Sequence, residues 1–198
     1  MKQTLVPVRE DGYFDIDHYD SLAGLVESWR ALGEIPQERI PDAETAAACS
    51  RLLALEARLI DAGRLNEWLD LYTEDCVYWL PCDVDGRNAS DAVAWEMNDR
   101  RRLEERVERL ASGRAYSQLP PSRTTHLYTN IEVMTAGPDH VHVLSQFLIQ
   151  TNRTGRISHR AGWNGYVLRK VGPVWRIVVK RINLQDADLP QDNNSFTL

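Results

Sequence analysis

Apolar positions along the chain follow a helical period up to Pro120-Pro121 and an alternating one after it. Leu22, Leu25, Val26, Trp29 and Leu32 fall on one stripe of a helix that Asp20 or Ser21 caps and Gly33 stops. Ile35-Pro36 and Ile40-Pro41 then require extended backbone, because a proline pushes the residue before it out of the helical region. A second helix begins after Pro41-Asp42 and ends near Ala62-Gly63. Cys49, Leu52, Leu53, Leu59 and Ile60 form its apolar stripe, with Glu56 set into the same face. Leu65, Trp68, Leu69 and Tyr72 mark a short third helix. Cys76 to Leu80 reads as a strand closed by Pro81, and the polar stretch 83–90, with Asp85-Gly86, as a loop. A longer helix over Asn98 to Ala111 turns Leu103, Val107 and Leu110 inward and stops at Gly113.

In the second half, Leu127, Thr129, Ile131 and Val133 share one face of a strand, and Gly137-Pro138-Asp139 turns the chain. His140 to Thr151 and Ile157 to Val171 are two long strands joined over Asn152 to Arg156. Gly172-Pro173 leads into a last strand, Val174 to Leu184, with Trp175, Ile177 and Val179 on one face, and a polar tail ending in Phe196 follows. Helices first and hairpin-linked strands after them predict an α+β domain: a strongly curved antiparallel sheet, helices packed on one face, closing into a cone. The organisation is an N-terminal arm over 1–41 and a domain over 42–198.

Composition narrows the class without naming the activity. At 198 residues, with 43% apolar and 26% charged residues, the chain fits one ordinary globular domain. A formal charge of −6 speaks against a nucleic-acid surface, and Arg100-Arg101-Arg102 alternates with Glu104, Glu105 and Glu108 as a solvated helix face does. The sequence lacks an apolar run of membrane-spanning length and an apolar signal core near Met1. Three cysteines with no close pair make no disulfide framework. A cytoplasmic protein without a membrane partner is expected.

Few residue sets carry chemistry. Cys-x-His, Cys-x-x-His, His-x-x-x-His, Cys-x-x-Cys, phosphate-binding glycine loops and G-x-S-x-G are all missing from the sequence. His140-Val141-His142 places two imidazoles on one face of a strand, a metal-ligand spacing, but without an evident third ligand it reads as a strand end. Glu56 among leucines is costly unless paired. It reads as half of a structural ion pair, with Arg123 the expected partner; a general acid or base with a raised pKa is the other use. Asp75 reads as a helix-exit or turn residue. His126, at the start of a strand, can look into the cone, where Asp75, Glu56, Tyr78 or Tyr128 would complete an acid–base pocket. Tyr78, Trp79 and Trp175 are expected to fill the core.

Two motifs, Trp68-Leu69-Asp70-Leu71-Tyr72-Thr73-Glu74-Asp75-Cys76-Val77-Tyr78-Trp79-Leu80-Pro81 and Pro120-Pro121-Ser122-Arg123-Thr124-Thr125-His126-Leu127-Tyr128-Thr129-Asn130-Ile131, stand in this order with three supporting segments. Those are Glu56 to Asp61, Leu103 to Leu110 followed by Gly113-Arg114-Ala115-Tyr116, and Trp175-Arg176-Ile177. Over about residues 45–198 the chain resembles the small (β) subunit of the aromatic-ring-hydroxylating, Rieske non-haem iron dioxygenases. The resemblance implies a cone-shaped fold of the nuclear-transport-factor-2 type (NTF2-like) that trimerises and supports catalytic α subunits as α3β3. It implies a β subunit without metal or chemistry of its own. The α subunit would carry the Rieske [2Fe–2S] cluster and the mononuclear iron, fed by a reductase, sometimes through a ferredoxin, for insertion of O2 into an aromatic substrate. Arg123 and His126 would then serve loop anchoring and subunit contact. The arm is longer than the family leads one to expect, and its Trp29 helix is expected to dock on a neighbouring subunit. Two other uses of the fold stay open: a stand-alone dehydratase, isomerase or hydrolase using His126 with Asp75 or Glu56, and a carrier whose cone holds an apolar molecule.

Overall fold

The computed structural model describes residues 16–30, 36–82, 93–113 and 115–190, apart from the side chains of 16–20, 23, 30 and 117. The expected loop over 83–90, the helix stop at Leu32-Gly33 and the tail ending in Phe196 lie outside the described residues. Among the described residues there are four α-helices: α1 (Ile16–Arg30), α2 (Ala43–Asp61), α3 (Leu65–Leu69) and α4 (Arg100–Ala111). Six strands, β1 (Tyr72–Pro81), β2 (Ala94–Asn98), β3 (Arg123–Thr135), β4 (His140–Arg153), β5 (Arg156–Val171) and β6 (Val174–Leu184), form one sheet in the order β2-β1-β6-β5-β4-β3.

Local chemistry accounts for the helix ends. The Asp42 carboxylate accepts the Thr45 N–H at 2.7 Å and starts α2; the Asp99 carboxylate does the same for α4 through Arg102 N–H at 2.8 Å. Gly63, with φ +67°, ends α2 in a left-handed conformation that a side chain would resist. On α4, Arg101 pairs with Glu105 one turn on, as the solvated face requires, while Arg100 pairs with Glu104 and also donates to the carbonyls of Leu69 and Tyr72. Two sequence expectations shift here. Tyr72 opens β1 instead of ending α3, and Asn98, expected to begin a helix, instead ends the short edge strand β2.

The sheet is mixed, where an antiparallel one was expected. β3 through β6 are hairpin-linked neighbours and run antiparallel, but β1 lies parallel to β6. Those two strands are separated by α4 and four other strands, so no tight turn dictates their direction. Asp75, expected at a turn, lies inside β1.

Two irregularities reverse the alternation that the sequence pattern suggested. Between Thr129 and Glu132 of β3 the register slips against β4, with Asn130 at φ +49°. Before the slip His126 and Tyr128 face the helices; after it Ile131 and Val133 do, while Leu127 lies 56% exposed on the outer side. On β6, Leu168 pairs with Ile177 and Val167 with Val179, leaving Val178 as the extra residue. Trp175 and Ile177 therefore face the helices, Val178 and Val179 face away, and Lys180, Ile182 and Leu184 turn back toward them. Each slip bends its strand and curls the sheet around α2, α3 and α4.

Helices cover both faces, where one was expected. The inner core joins α2, α3 and α4 to Cys76, Tyr78, Leu80, Val143, Phe147 and Ile182. The outer core sets Leu22, Leu25, Val26 and Trp29 of α1 against Val77, Trp79, Val167 and Val179. The apolar stripe expected to dock on a neighbour thus lies on this chain's own sheet, with Trp29 fully buried. Its indole N–H donates to the Tyr166 carbonyl at 3.1 Å, and Gly165 makes the approach possible: a Cβ there would stand 2.5 Å from the indole ring.

Gly165→Ala is expected to cost about 1–3 kcal/mol by overpacking Trp29. In the Trp29→Ala background the same change is expected to cost much less, because the clash is gone. Urea denaturation of the two single variants and the double variant measures this coupling.

Candidate functional site

The centre of the cone is filled by the chain's own polar groups. Glu56, on the inner face of α2, and Lys180, turned inward by the β6 slip, are both fully buried and meet at 3.1 Å. The Glu56 Oε1 also accepts the Tyr72 hydroxyl at 2.8 Å and, more weakly, the Trp68 indole N–H at 3.4 Å; Oε2 accepts the Tyr166 hydroxyl at 2.9 Å. Lys180 Nζ lies 3.3 Å from the Tyr128 hydroxyl and within 5.6–5.8 Å of the ring centres of Tyr78, Tyr128 and Tyr166. Burial, reinforced by the Glu56 charge, holds the Tyr72, Tyr128 and Tyr166 hydroxyls well above their ordinary pKa, so they remain protonated donors. Burial lowers the Lys180 pKa, and Glu56 works against that shift.

Glu56 is thus half of an ion pair, but its partner is Lys180, not Arg123. Arg123 is exposed at the first residue of β3, on the rim of the sheet. Alternation on β6, read without its slip, puts Lys180 on the outer face, and that is why sequence reasoning missed it.

His126 does face the cone, with the carboxylate of Asp61 as its partner. Its ring Nδ1 lies 2.6 Å from Asp61 Oδ1, its backbone N–H donates to Oδ2 at 2.9 Å, and the Thr124 hydroxyl donates to Oδ1 at 2.8 Å. Asp61 closes the last turn of α2, where the helix dipole disfavours a carboxylate. That misfit was the one sequence signal for its role, and the three donors from β3 compensate it. The His126 side chain is fully buried and packs edge-on against Tyr128 at 6.1 Å.

The remaining acid–base candidates stay apart. Asp75 is held by the two terminal guanidinium nitrogens of Arg169, at 2.6 and 2.9 Å, at an open, charged edge of the sheet. His126, Asp75 and Glu56 therefore have three separate partners: Asp61, Arg169 and Lys180. Tyr78 and Trp79 are buried as expected, Tyr78 in the inner core and Trp79 in the outer, with the Arg181 guanidinium 4.4 Å from the Trp79 ring centre; Trp175 packs partly buried against the inner core. His142 lies beneath α1, 3.1 Å from Ser28 Oγ, and burial, with Arg39 and His140 nearby, pushes its imidazole down to about 4. Among the described residues, no three His, Cys, Asp or Glu side chains gather as a metal site.

Comparison with known proteins places this architecture. A family model described as ring hydroxylating beta subunit matches residues 55–191. The small oxygenase component of the p-cumate 2,3-dioxygenase system of Pseudomonas putida is 37% identical over 151 residues, 72% of this chain and 84% of that protein. The beta subunit of the 3-phenylpropionate/cinnamic acid dioxygenase of Photorhabdus laumondii is 33% identical over 130 residues, 62% of this chain and 72% of that one. The crystal structure of the benzoate 1,2-dioxygenase beta subunit of Burkholderia mallei superposes with a TM-score of 0.64 at 27% identity, covering 76% of this chain and 96% of that chain.

Lys180→Met is expected to destabilise the protein by about 3–5 kcal/mol, because it leaves Glu56 charged and unpaired in the core. Adding Glu56→Gln is expected to recover a large part of that loss in a double-mutant cycle read by urea midpoints.

Asp61 yields a pH dependence. Burial acts to raise its pKa, but the His126 and Thr124 hydrogen bonds outweigh it and hold it below the ordinary 3.8. Its contribution is therefore complete above the ordinary value and is lost as pH falls through the lower folded value. Asp61→Asn is expected to flatten the fall of urea midpoint with acid below about pH 4 in part; the Asp75–Arg169 pair, shifted the same way, is among the groups that keep the remaining slope.

Proposed function

The chain belongs to the ring-hydroxylating beta-subunit family, and from that membership we propose that it is the structural subunit of an oxygenase acting on an aromatic ring. It supports catalytic α subunits in an α3β3 assembly in which the β chains trimerise. The α subunit carries the Rieske [2Fe–2S] cluster and the mononuclear iron(II), and a reductase, directly or through a ferredoxin, delivers electrons to the assembly. The complex works in the cytoplasm. Its substrate is an aromatic carboxylic acid, the class named in the p-cumate, 3-phenylpropionate/cinnamate and benzoate relatives.

The observation that carries this reading is the filled cone. Where an enzyme of this architecture would need an accessible acid–base group, Glu56 and Lys180 neutralise each other behind a wall of tyrosines, with both side chains fully buried. His126 is equally inaccessible, tied to Asp61. Its role is anchoring: the Asp61–His126 pair fastens the end of α2 to the first residues of β3, and Arg123, exposed on the rim nearby, is left to meet another subunit. Leu127 and Leu148, exposed cross-strand neighbours on the outer side of β3 and β4, extend that surface.

Purification of the tagged chain from its native host tests the reading. A hetero-oligomer with a larger partner and iron–sulfur absorbance in the visible is expected. A colourless homo-oligomer, isolated from cells expressing the catabolic pathway, would overturn it.

A further inference from the structure

Among the described helices, α1 alone packs into the outer core, and the inner core takes no residue from it. His142 of β4 lies beneath this helix, 5% exposed, with its ring centre 6.4 Å from that of Trp29 and its Nδ1 3.1 Å from Ser28 Oγ. The Ser28 hydroxyl gives its hydrogen to the Leu25 carbonyl at 2.8 Å, so its oxygen accepts and the His142 Nδ1–H donates. A second proton on this imidazole would have to enter at Nε2. The surroundings oppose it. Met134 and Val167, the partners of His142 on β3 and β5, are buried and apolar. Arg39 is fixed nearby by two hydrogen bonds of 3.1 Å to the Thr135 carbonyl, and the Thr135 hydroxyl donates to the Arg39 carbonyl at 2.9 Å. His140 and Arg169 share the same face, Arg169 being tied to Asp75. Two carboxylates border it: Glu132, two residues before Met134 on β3, and Glu27, exposed on α1. Burial and the cations prevail, and the imidazole is pushed down to about 4.

We propose that α1 is a releasable strap with His142 as its latch: the neutral imidazole seats the helix on the sheet, and the protonated one lifts it off while the inner core stays closed. The sign follows from proton binding. Docked, the imidazole titrates near 4; released into water, it returns toward the ordinary 6.5. Between those values the released form holds one more proton than the docked form. Docking is therefore at full strength above about pH 6.5 and weakens as pH falls toward 4, by up to about tenfold per pH unit. Release is local because α2, α3 and α4 hold the inner face without α1, and the family match begins at residue 55, beyond the helix. It uncovers Val77, Trp79 and Val179, an apolar stretch of the outer face. The latch belongs to this chain and does not rest on the scaffold reading.

Amide hydrogen exchange of the full chain, resolved by segment and corrected for intrinsic exchange rates, tests it. Between about pH 6.5 and 4.5 the protection of α1 is expected to fall by up to about 100-fold, while β4 and β5 keep theirs. His142→Gln keeps a donor for Ser28 but does not titrate, and His142→Phe keeps a ring of similar size; both are expected to flatten the response of α1. His140→Gln is expected to retain it. Protection of α1 that does not change with pH would overturn the proposal. So would loss of α1 and of β4 and β5 in step, which is global unfolding. A response that survives both His142 substitutions, or that disappears with His140→Gln, would overturn it as well, because another group would then be titrating.

Discussion

The buried pair of Glu56 and Lys180 is the interaction on which the rest of the cone depends. Two charges removed from water are tolerable only if each is met in full, and here the carboxylate collects Lys180, Tyr72, Tyr166 and, more distantly, Trp68. Those donors come from α3, β1, β5 and β6, so satisfying one side chain on α2 brings five elements to fixed positions. An apolar core would tolerate small shifts of one layer over another. A buried carboxylate with directional donors penalises them, because each slip leaves a charge or a hydroxyl without its partner.

The backbone has to be shaped for that meeting. Lys180 reaches Glu56 only because Val178 is an extra residue on β6 and reverses the facing of every position after it. The slip at Asn130 in β3 does the same for Ile131 and Val133, so one strand sends His126 and Tyr128 inward before the break and apolar residues after it. These breaks also bend the sheet. Curvature and side-chain placement therefore have one origin, and the cone closes around the pair that needs enclosing.

This use of the interior bears on function. In a catalyst the inward-facing Glu, Lys, His and tyrosines would be left reachable; here each is absorbed by a neighbour, and stability takes the place of reactivity. The outside is organised to match. α1 lays its apolar stripe across the outer face of β1, β5 and β6 through the gap at Gly165, while Leu127 and Leu148 at the other end of the sheet stay uncovered. A rigid body with one face closed and another open is suited to holding other chains at fixed positions.

By itself the amino-acid sequence determined the local structure wherever periodicity, caps and breakers agree. α2, α4, the turns at Gly137-Pro138-Asp139 and Gly172-Pro173, the existence of β4 and β5 and the bounds of β6 follow from residues close in sequence, though β4 and β5 pair on to Arg153 and Arg156, inside the stretch expected as their loop. The same holds for the recognition that Glu56 cannot stay unpaired and that His126 looks inward. Motif order carried the family. Tertiary structure decided what no local pattern encodes: that β1 joins β6 in parallel, that α1 lies on its own sheet, and that the partners are Lys180 for Glu56 and Asp61 for His126. The physical reason is common to them. A one-residue slip leaves composition and periodicity almost unchanged yet inverts which face a side chain occupies, and a pairing between residues 124 apart is chosen by the assembled core.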